Sequence, residues 1–260
     1  MVEAGEGTDA AEIGKFAELA DAWWDPEGPM RPLHLLNPVR LAWIRDQTAR
    51  HFGLALEGRR PLAGLRLLDI GCGGGLLAEP LARLGAAVTA VDPTEENIAR
   101  ARQRAAAQGL AIDYRRGTAE EIAAAGARFD VVLAMEVIEH VPDPARFAAT
   151  AAALVAPGGL LVMSTVSRTL RAFALAVMGA EYLLGWLPPG THDWRRFVRP
   201  AELAGWLRGH GLRTTAVTGV AYDPGFARFR LVRDPGVNYM LAARRRAAVQ
   251  ASSLGSRARG

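Results

Sequence analysis

A chain of 260 residues with a net charge of +4, half of it apolar and 22% charged, holds enough material for one α/β core and too little for two independent ones. Its basic residues are almost all arginines that nearly balance the acids, and no basic stripe with interleaved aromatics points to nucleic acid as a partner. The single cysteine, Cys72, excludes an internal disulfide and a cysteine zinc site.

Residues 1–11 are small and acidic and predict a disordered start, ahead of one domain over 12–244. From Glu12 to Trp24, the apolar residues Ile13, Phe16, Leu19, Ala20 and Trp23 recur at helical spacing and predict an amphipathic helix. No basic flank followed by an apolar stretch marks a secretory signal, so the expected location is cytoplasmic. A second helix is expected from Pro38 to Phe52, with Asn37 as N-cap and Pro38 in the first position.

An alternation of strand and helix follows. Strands are expected at Leu65–Ile70, Ala87–Val91, Ile112–Arg115, Phe129–Met135 and Leu160–Thr165, with helices at Leu76–Leu84 and Glu95–Gln108. Pro200–His210 reads as a further helix, and Leu212–Val220 and Asn238–Ala243 as two last strands. This rhythm predicts a doubly wound α/β fold, a mostly parallel sheet of seven strands with helices on both faces. Residues 245–260, with Arg257 and Arg259, read as a flexible basic tail, either solvated or touching anionic lipid.

The turn Asp69-Ile70-Gly71-Cys72-Gly73-Gly74-Gly75 lies between the first strand and its helix. Glycines there let backbone approach a ligand closely and aim N–H groups at it. A dinucleotide fingerprint needs a third glycine where Leu76 stands, whereas Gly71, Gly73 and Gly75 resemble the first motif of S-adenosylmethionine enzymes. Asp92 ends the second strand, where a carboxylate can accept from both ribose hydroxyls; an NAD enzyme places an acid similarly, so Asp92 alone does not choose between the cofactors. Cys72, between glycines, reads as a small packing residue, with a catalytic thiol as the other reading.

Beyond this turn, Trp23-Trp24-Asp25, Pro32-Leu33-His34, Asn37-Pro38-Val39-Arg40, Glu136-Val137-Ile138-Glu139-His140-Val141-Pro142-Asp143-Pro144, Gly190-Thr191-His192-Asp193 and Val237-Asn238-Tyr239-Met240 occur in an order that resembles the ubiquinone-biosynthesis O-methyltransferases. The resemblance implies methylation of two phenolic hydroxyls, on a polyprenyl catechol and on 3-demethylubiquinol. It implies cofactor roles for Arg40, Gly71, Asp92 and Met135, and it places other ubiquinone-biosynthesis proteins among the expected partners. Arg40 suits a bidentate pair with the cofactor carboxylate, and Met135 falls at the edge of the sheet where such folds bind ligands.

Glu136, Glu139 and His140 stand at i, i+3 and i+4, which on a helical turn is one face. They read as ligands for Mg²⁺, as catalytic groups with His140 as general base, or as braces for the turn before Pro142. His192 reads as an orienting or site-closing residue, or as a loop histidine bonded to Asp193. Residues 167–190 form an insertion whose part 168–187 carries Arg168, Arg171, Tyr182 and Trp186 around an apolar run. It is too short to span a bilayer and predicts either peripheral contact with the inner membrane or a lid over the site. An NAD-dependent oxidoreductase and a non-catalytic scaffold subunit are the competing functions.

Overall fold

The structure, a computed structural model, describes residues 14, 22–169, 172 and 196–247. Most of the expected helix over 12–24, nearly all of the insertion, His192 and the tail beyond 247 lie outside those residues.

Helix α1 (Arg31–Phe52) leads into β1 (Arg66–Ile70), α2 (Ala78–Arg83), β2 (Ala87–Asp92), α3 (Glu95–Ala107), β3 (Asp113–Arg116), α4 (Ala119–Ala124) and β4 (Phe129–Met135). A single 3₁₀ turn (Ile138–His140) precedes α5 (Pro144–Leu154) and β5 (Val155–Val166), and the described chain ends with α6 (Pro200–Gly209), β6 (Leu212–Asp223), β7 (Arg228–Val232) and β8 (Asn238–Arg245).

The strands lie in the order β3-β2-β1-β4-β5-β8-β6-β7. Strands β1 to β5 pair in parallel, while β8 pairs antiparallel with both β5 and β6. The expected doubly wound architecture is present, with one strand more than expected. The addition is β7, an edge strand paired antiparallel with β6. Its sequence, Arg228-Phe229-Arg230-Leu231-Val232, alternates charge with apolar bulk because only one of its faces meets the protein, against Val220 and α1.

Side-chain alternation along each strand feeds two cores. In β4, Val131, Leu133 and Met135 join Leu36, Trp43, Ile44, Leu81 and Ile98 on one face, where α1, α2 and α3 pack. Val132 and Ala134 join Ile122, Phe147, Ala151, Leu203 and Leu207 on the other, under α4, α5 and α6. Both faces of the parallel strands are thereby buried, as a sheet wound with helices on two sides requires. Helix α5 starts where Asp143 accepts from the Arg146 amide at 3.0 Å and Pro144 presets the first turn.

Helix α1 departs from the sequence expectation at its start. It begins at Arg31, seven positions before Pro38, with Pro32 in its first turn, and Pro38 lies inside it. Asn37 is therefore no cap. Its amide donates to Leu76 O at 2.8 Å, tying α1 to the glycine turn instead.

Candidate active site

The strand order reverses between β1 and β4, and the crevice at their carboxyl ends is where open α/β sheets bind ligands. Asp69 and Gly71 come to it from β1, Asp92 from β2, and Met135 and Glu136 from β4. Arg40 reaches it from α1, four-percent exposed.

The glycines act here through what they lack. Gly71, Gly73 and Gly75 all have positive φ, and a Cβ on Gly71 would lie 2.6 Å from Val137 Cγ2. The expectation of free amides is corrected. Gly71 and Cys72 donate to Val91 O, Gly73 to Asp92 Oδ2 at 2.9 Å, and Gly75 to Cys72 O. These four N–H groups shape the turn rather than await a ligand. Cys72 is buried, and burial pushes its thiol well above the usual range, which fits a packing residue.

Asp92 is fixed by the Gly73 amide on one oxygen and by the Thr94 amide and Asn97 Nδ2 on the other. Burial raises its carboxyl, and those donors work against the rise. The Thr94 side chain is a fourth donor to it. An ionised carboxylate has about four acceptor positions, so a sugar hydroxyl would share an oxygen with these donors or displace the Thr94 hydroxyl.

Asp69 and Arg40 form the most charged part of the crevice. Burial pushes Asp69 up to about 7, Arg40 draws it down and Asp92 raises it further. Burial lowers the Arg40 guanidinium, against the attraction of Glu136 and Asp69. Arg40 Nη2 donates to Asn37 Oδ1 at 3.2 Å, while Arg40 Nε and Asp69 Oδ2 are buried without a hydrogen-bond partner. Buried polar atoms left unpaired are costly. A zwitterionic amino-acid group would satisfy both, its carboxylate at Arg40 and its ammonium at Asp69. The crevice thus fits the methionyl end and the ribose of S-adenosylmethionine.

The acidic cluster is arranged differently from its sequence spacing. Glu136 has φ +59 and precedes the 3₁₀ turn, so the helical i, i+3, i+4 face does not form. Glu136 Oε1 accepts from Ser164 Oγ at 2.6 Å, and Asn238 Nδ2 lies within 3.3 Å of both its oxygens. Glu139 is buried and accepts from Thr165 Oγ1 at 2.9 Å. Burial and the neighbouring Glu136 push Glu139 up to about 8, while His140 pulls it down. Among the described residues no group of three or more His, Cys, Asp or Glu side chains is disposed to hold a metal ion. The three residues do not fit Mg²⁺ in this arrangement.

Several partners escape a reading of local sequence. Ser164, Thr165 and Asn238 meet the acidic pair from β5 and β8, and Asn97 and Thr94 hold Asp92. Only the acid at the end of β2 carries a local signal that such partners must exist, since a buried carboxylate needs donors.

A parallel sheet closed by antiparallel late strands, a glycine turn without the third dinucleotide glycine, and an acid at the end of β2 define a methyltransferase of the doubly wound class. A family model described as a methyltransferase domain matches residues 41–217. The ubiquinone biosynthesis O-methyltransferase of Methylobacterium sp. (strain 4-46) is 55% identical over 244 residues, 94% of this chain and 98% of the relative. That of Parvibaculum lavamentivorans is 54% identical over 237 residues, 91% of this chain and 94% of its own length. Among solved structures, magnesium protoporphyrin IX methyltransferase from Synechocystis PCC 6803 with bound SAH superposes with a TM-score of 0.62 at 21% identity, covering 89% of this chain and 94% of that one, and so shares the fold. The chain belongs to the ubiquinone biosynthesis O-methyltransferase family and is an S-adenosylmethionine-dependent O-methyltransferase. Neither the oxidoreductase nor the scaffold alternative gains support from these relatives.

Proposed function

We propose that the protein methylates phenolic hydroxyls of polyprenyl intermediates in ubiquinone biosynthesis, a catechol at one stage and 3-demethylubiquinol at another. The near full-length identity of 55% to a ubiquinone biosynthesis O-methyltransferase carries this reading. S-adenosylmethionine supplies a methyl already activated on a sulfonium, so the chain has to hold, orient and exclude water.

In this reading Arg40 pairs with the cofactor carboxylate, Asp69 with its ammonium and Asp92 with the ribose. The observation in support is the pair of orphaned buried atoms on Arg40 and Asp69. Gly71 and Gly73 let the turn close against Val137 and Trp23 at the cofactor edge, and Met135 forms an apolar wall at the end of β4.

The phenol sets the remaining problem, because with a pKa of about 10 only about one part in a thousand is ionised at neutral pH. His140, half-buried at the end of the 3₁₀ turn, is the base that takes the phenolic proton. Glu139, held mostly protonated at neutral pH, is the weaker candidate. Glu136 is committed to Ser164 and Asn238 and holds the rim of the site.

Among the described residues no helix is long and apolar enough to cross a membrane. Residues 168–187 give peripheral contact with the inner membrane, where a polyprenyl tail partitions. Flotation with anionic liposomes, with and without that segment, tests this part; equal flotation of both forms refutes it.

The catalytic reading is tested by transfer of a labelled methyl from S-adenosylmethionine to short-tailed catechol and demethylubiquinol analogues. Methylated phenol is expected from both, with turnover in His140→Gln reduced about a hundredfold or more. A protein that binds the cofactor product yet methylates neither analogue overturns the proposal.

A further inference from the structure

The segment before α1 sets two adjacent indoles against the cofactor turn. Trp23 Nε1 donates to Asn97 Oδ1 at 2.8 Å, and Asn97 Nδ2 donates in turn to Asp92 Oδ1 at 3.3 Å. The Trp23 ring lies against Gly73 and Gly74, and a Cβ on either glycine would run into it. Trp24 Nε1 donates to Gly74 O at 2.9 Å. Arg104 stacks 3.6 Å from the centre of the Trp24 ring and brings its Nε to 3.1 Å from Glu79 Oε1. From α1, His34 Nε2 donates to Trp23 O at 2.9 Å.

An indole N–H can only donate. It therefore settles which way the Asn97 amide faces, with oxygen toward Trp23 and NH₂ toward Asp92. With Asn97 and the Thr94 amide on one oxygen and the Gly73 amide on the other, the Asp92 carboxylate cannot rotate without breaking a buried hydrogen bond. Trp23 is 8% exposed, and Asn97 is buried, so water is a poor replacement for the missing donor.

We propose that Trp23 is a positioning residue for the cofactor ribose, fixing through Asn97 the orientation of the carboxylate that receives the ribose hydroxyls. This rests on the reading of Asp92 as the ribose acceptor. It predicts an effect specific to the sugar, which a merely structural tryptophan would not produce.

The test is a ligand-and-protein cycle by titration calorimetry, using S-adenosylhomocysteine and its 2′-deoxyribose analogue. Trp23→Phe keeps a ring over the glycines and removes the N–H. It is expected to weaken S-adenosylhomocysteine about tenfold, the loss of one buried hydrogen bond with its acceptor left unmet, and the deoxy analogue by less than about threefold. In turnover, KM for S-adenosylmethionine rises while kcat at saturation stays within about twofold. Trp24→Phe, which loses the Gly74 contact but not Asn97, weakens both ligands alike. Asn97→Ala leaves both indoles and reproduces the sugar-specific loss even if Trp23→Phe proves too unstable to study, and combining it with Trp23→Phe adds little. A wild-type protein that discriminates the two ligands, with Trp23→Phe losing the same factor on both, overturns the inference alone. A wild-type protein that binds both ligands equally overturns the ribose reading of Asp92 and the inference with it.

Discussion

Replacing Arg40 by methionine removes a buried guanidinium while keeping most of its apolar stem. Asp69 stands at about 7 with that cation beside it, against burial that drives it upward. Without Arg40 the carboxyl climbs further and is neutral at pH 7. Two cofactor contacts are then lost together, the pair to the carboxylate and the negative charge facing the ammonium. A hydrogen bond to a charged group is worth about 1.5–3 kcal/mol, and about 1.4 kcal/mol is tenfold in affinity. One contact is thus about tenfold to a hundredfold, and both approach a thousandfold. Calorimetric titration with S-adenosylhomocysteine across neutral pH reads both effects. Wild-type affinity rises with pH through about 7 as Asp69 ionises. In Arg40→Met the affinity at pH 7 is lower by about a hundredfold or more, and the inflection moves to higher pH. A loss of less than about threefold, or an inflection that stays in place, refutes the clamp.

Three further outcomes follow from the same geometry. Gly71→Ala forces a positive φ on alanine and a Cβ 2.6 Å from Val137 Cγ2; calorimetric unfolding is expected to show about 2–4 kcal/mol of lost stability, part of it restored by Val137→Ala. Glu139 is raised from 4.5 to about 8, so the native state holds its proton more tightly than the unfolded chain, and the stability this confers is complete below about pH 4.5 and lost as pH rises through about 8. Urea titration of Glu139→Gln should therefore show a variant that gains on the wild type between those values, and parallel pH profiles contradict the burial argument. Asp92→Asn turns one acceptor into a donor opposite the Gly73 or Thr94 amide, and affinity for S-adenosylhomocysteine should fall about tenfold to a hundredfold; equilibrium dialysis measures it.

The parts of this protein that can be read from sequence are those whose signal is local. The strand β4 is bounded as its apolar run predicts, and α3 follows its acidic first turn to within a residue. Asp92 and the glycine turn meet because β1 and β2 pair in parallel, a consequence of the βα rhythm itself. What was missed depends on contacts far apart in the chain. Pro38 looks like a helix start, but an α1 anchored by Pro32 and packed through Trp43 and Ile44 carries the proline inside. The polar edge strand β7 lacks the apolar run expected of a buried strand. Spacing of Glu136, Glu139 and His140 suggested one helical face, and a single positive φ at Glu136 dissolves it. The bond from Trp23 to Asn97 spans 74 positions and has no local signature.

A crystal structure with S-adenosylhomocysteine tests the central assignment most directly. It should show the ribose on Asp92, the amino-acid carboxylate on Arg40 and the ammonium facing Asp69, between the ends of β1 and β4. A ligand seated elsewhere, or one at this crevice that touches neither Arg40 nor Asp92, contradicts it.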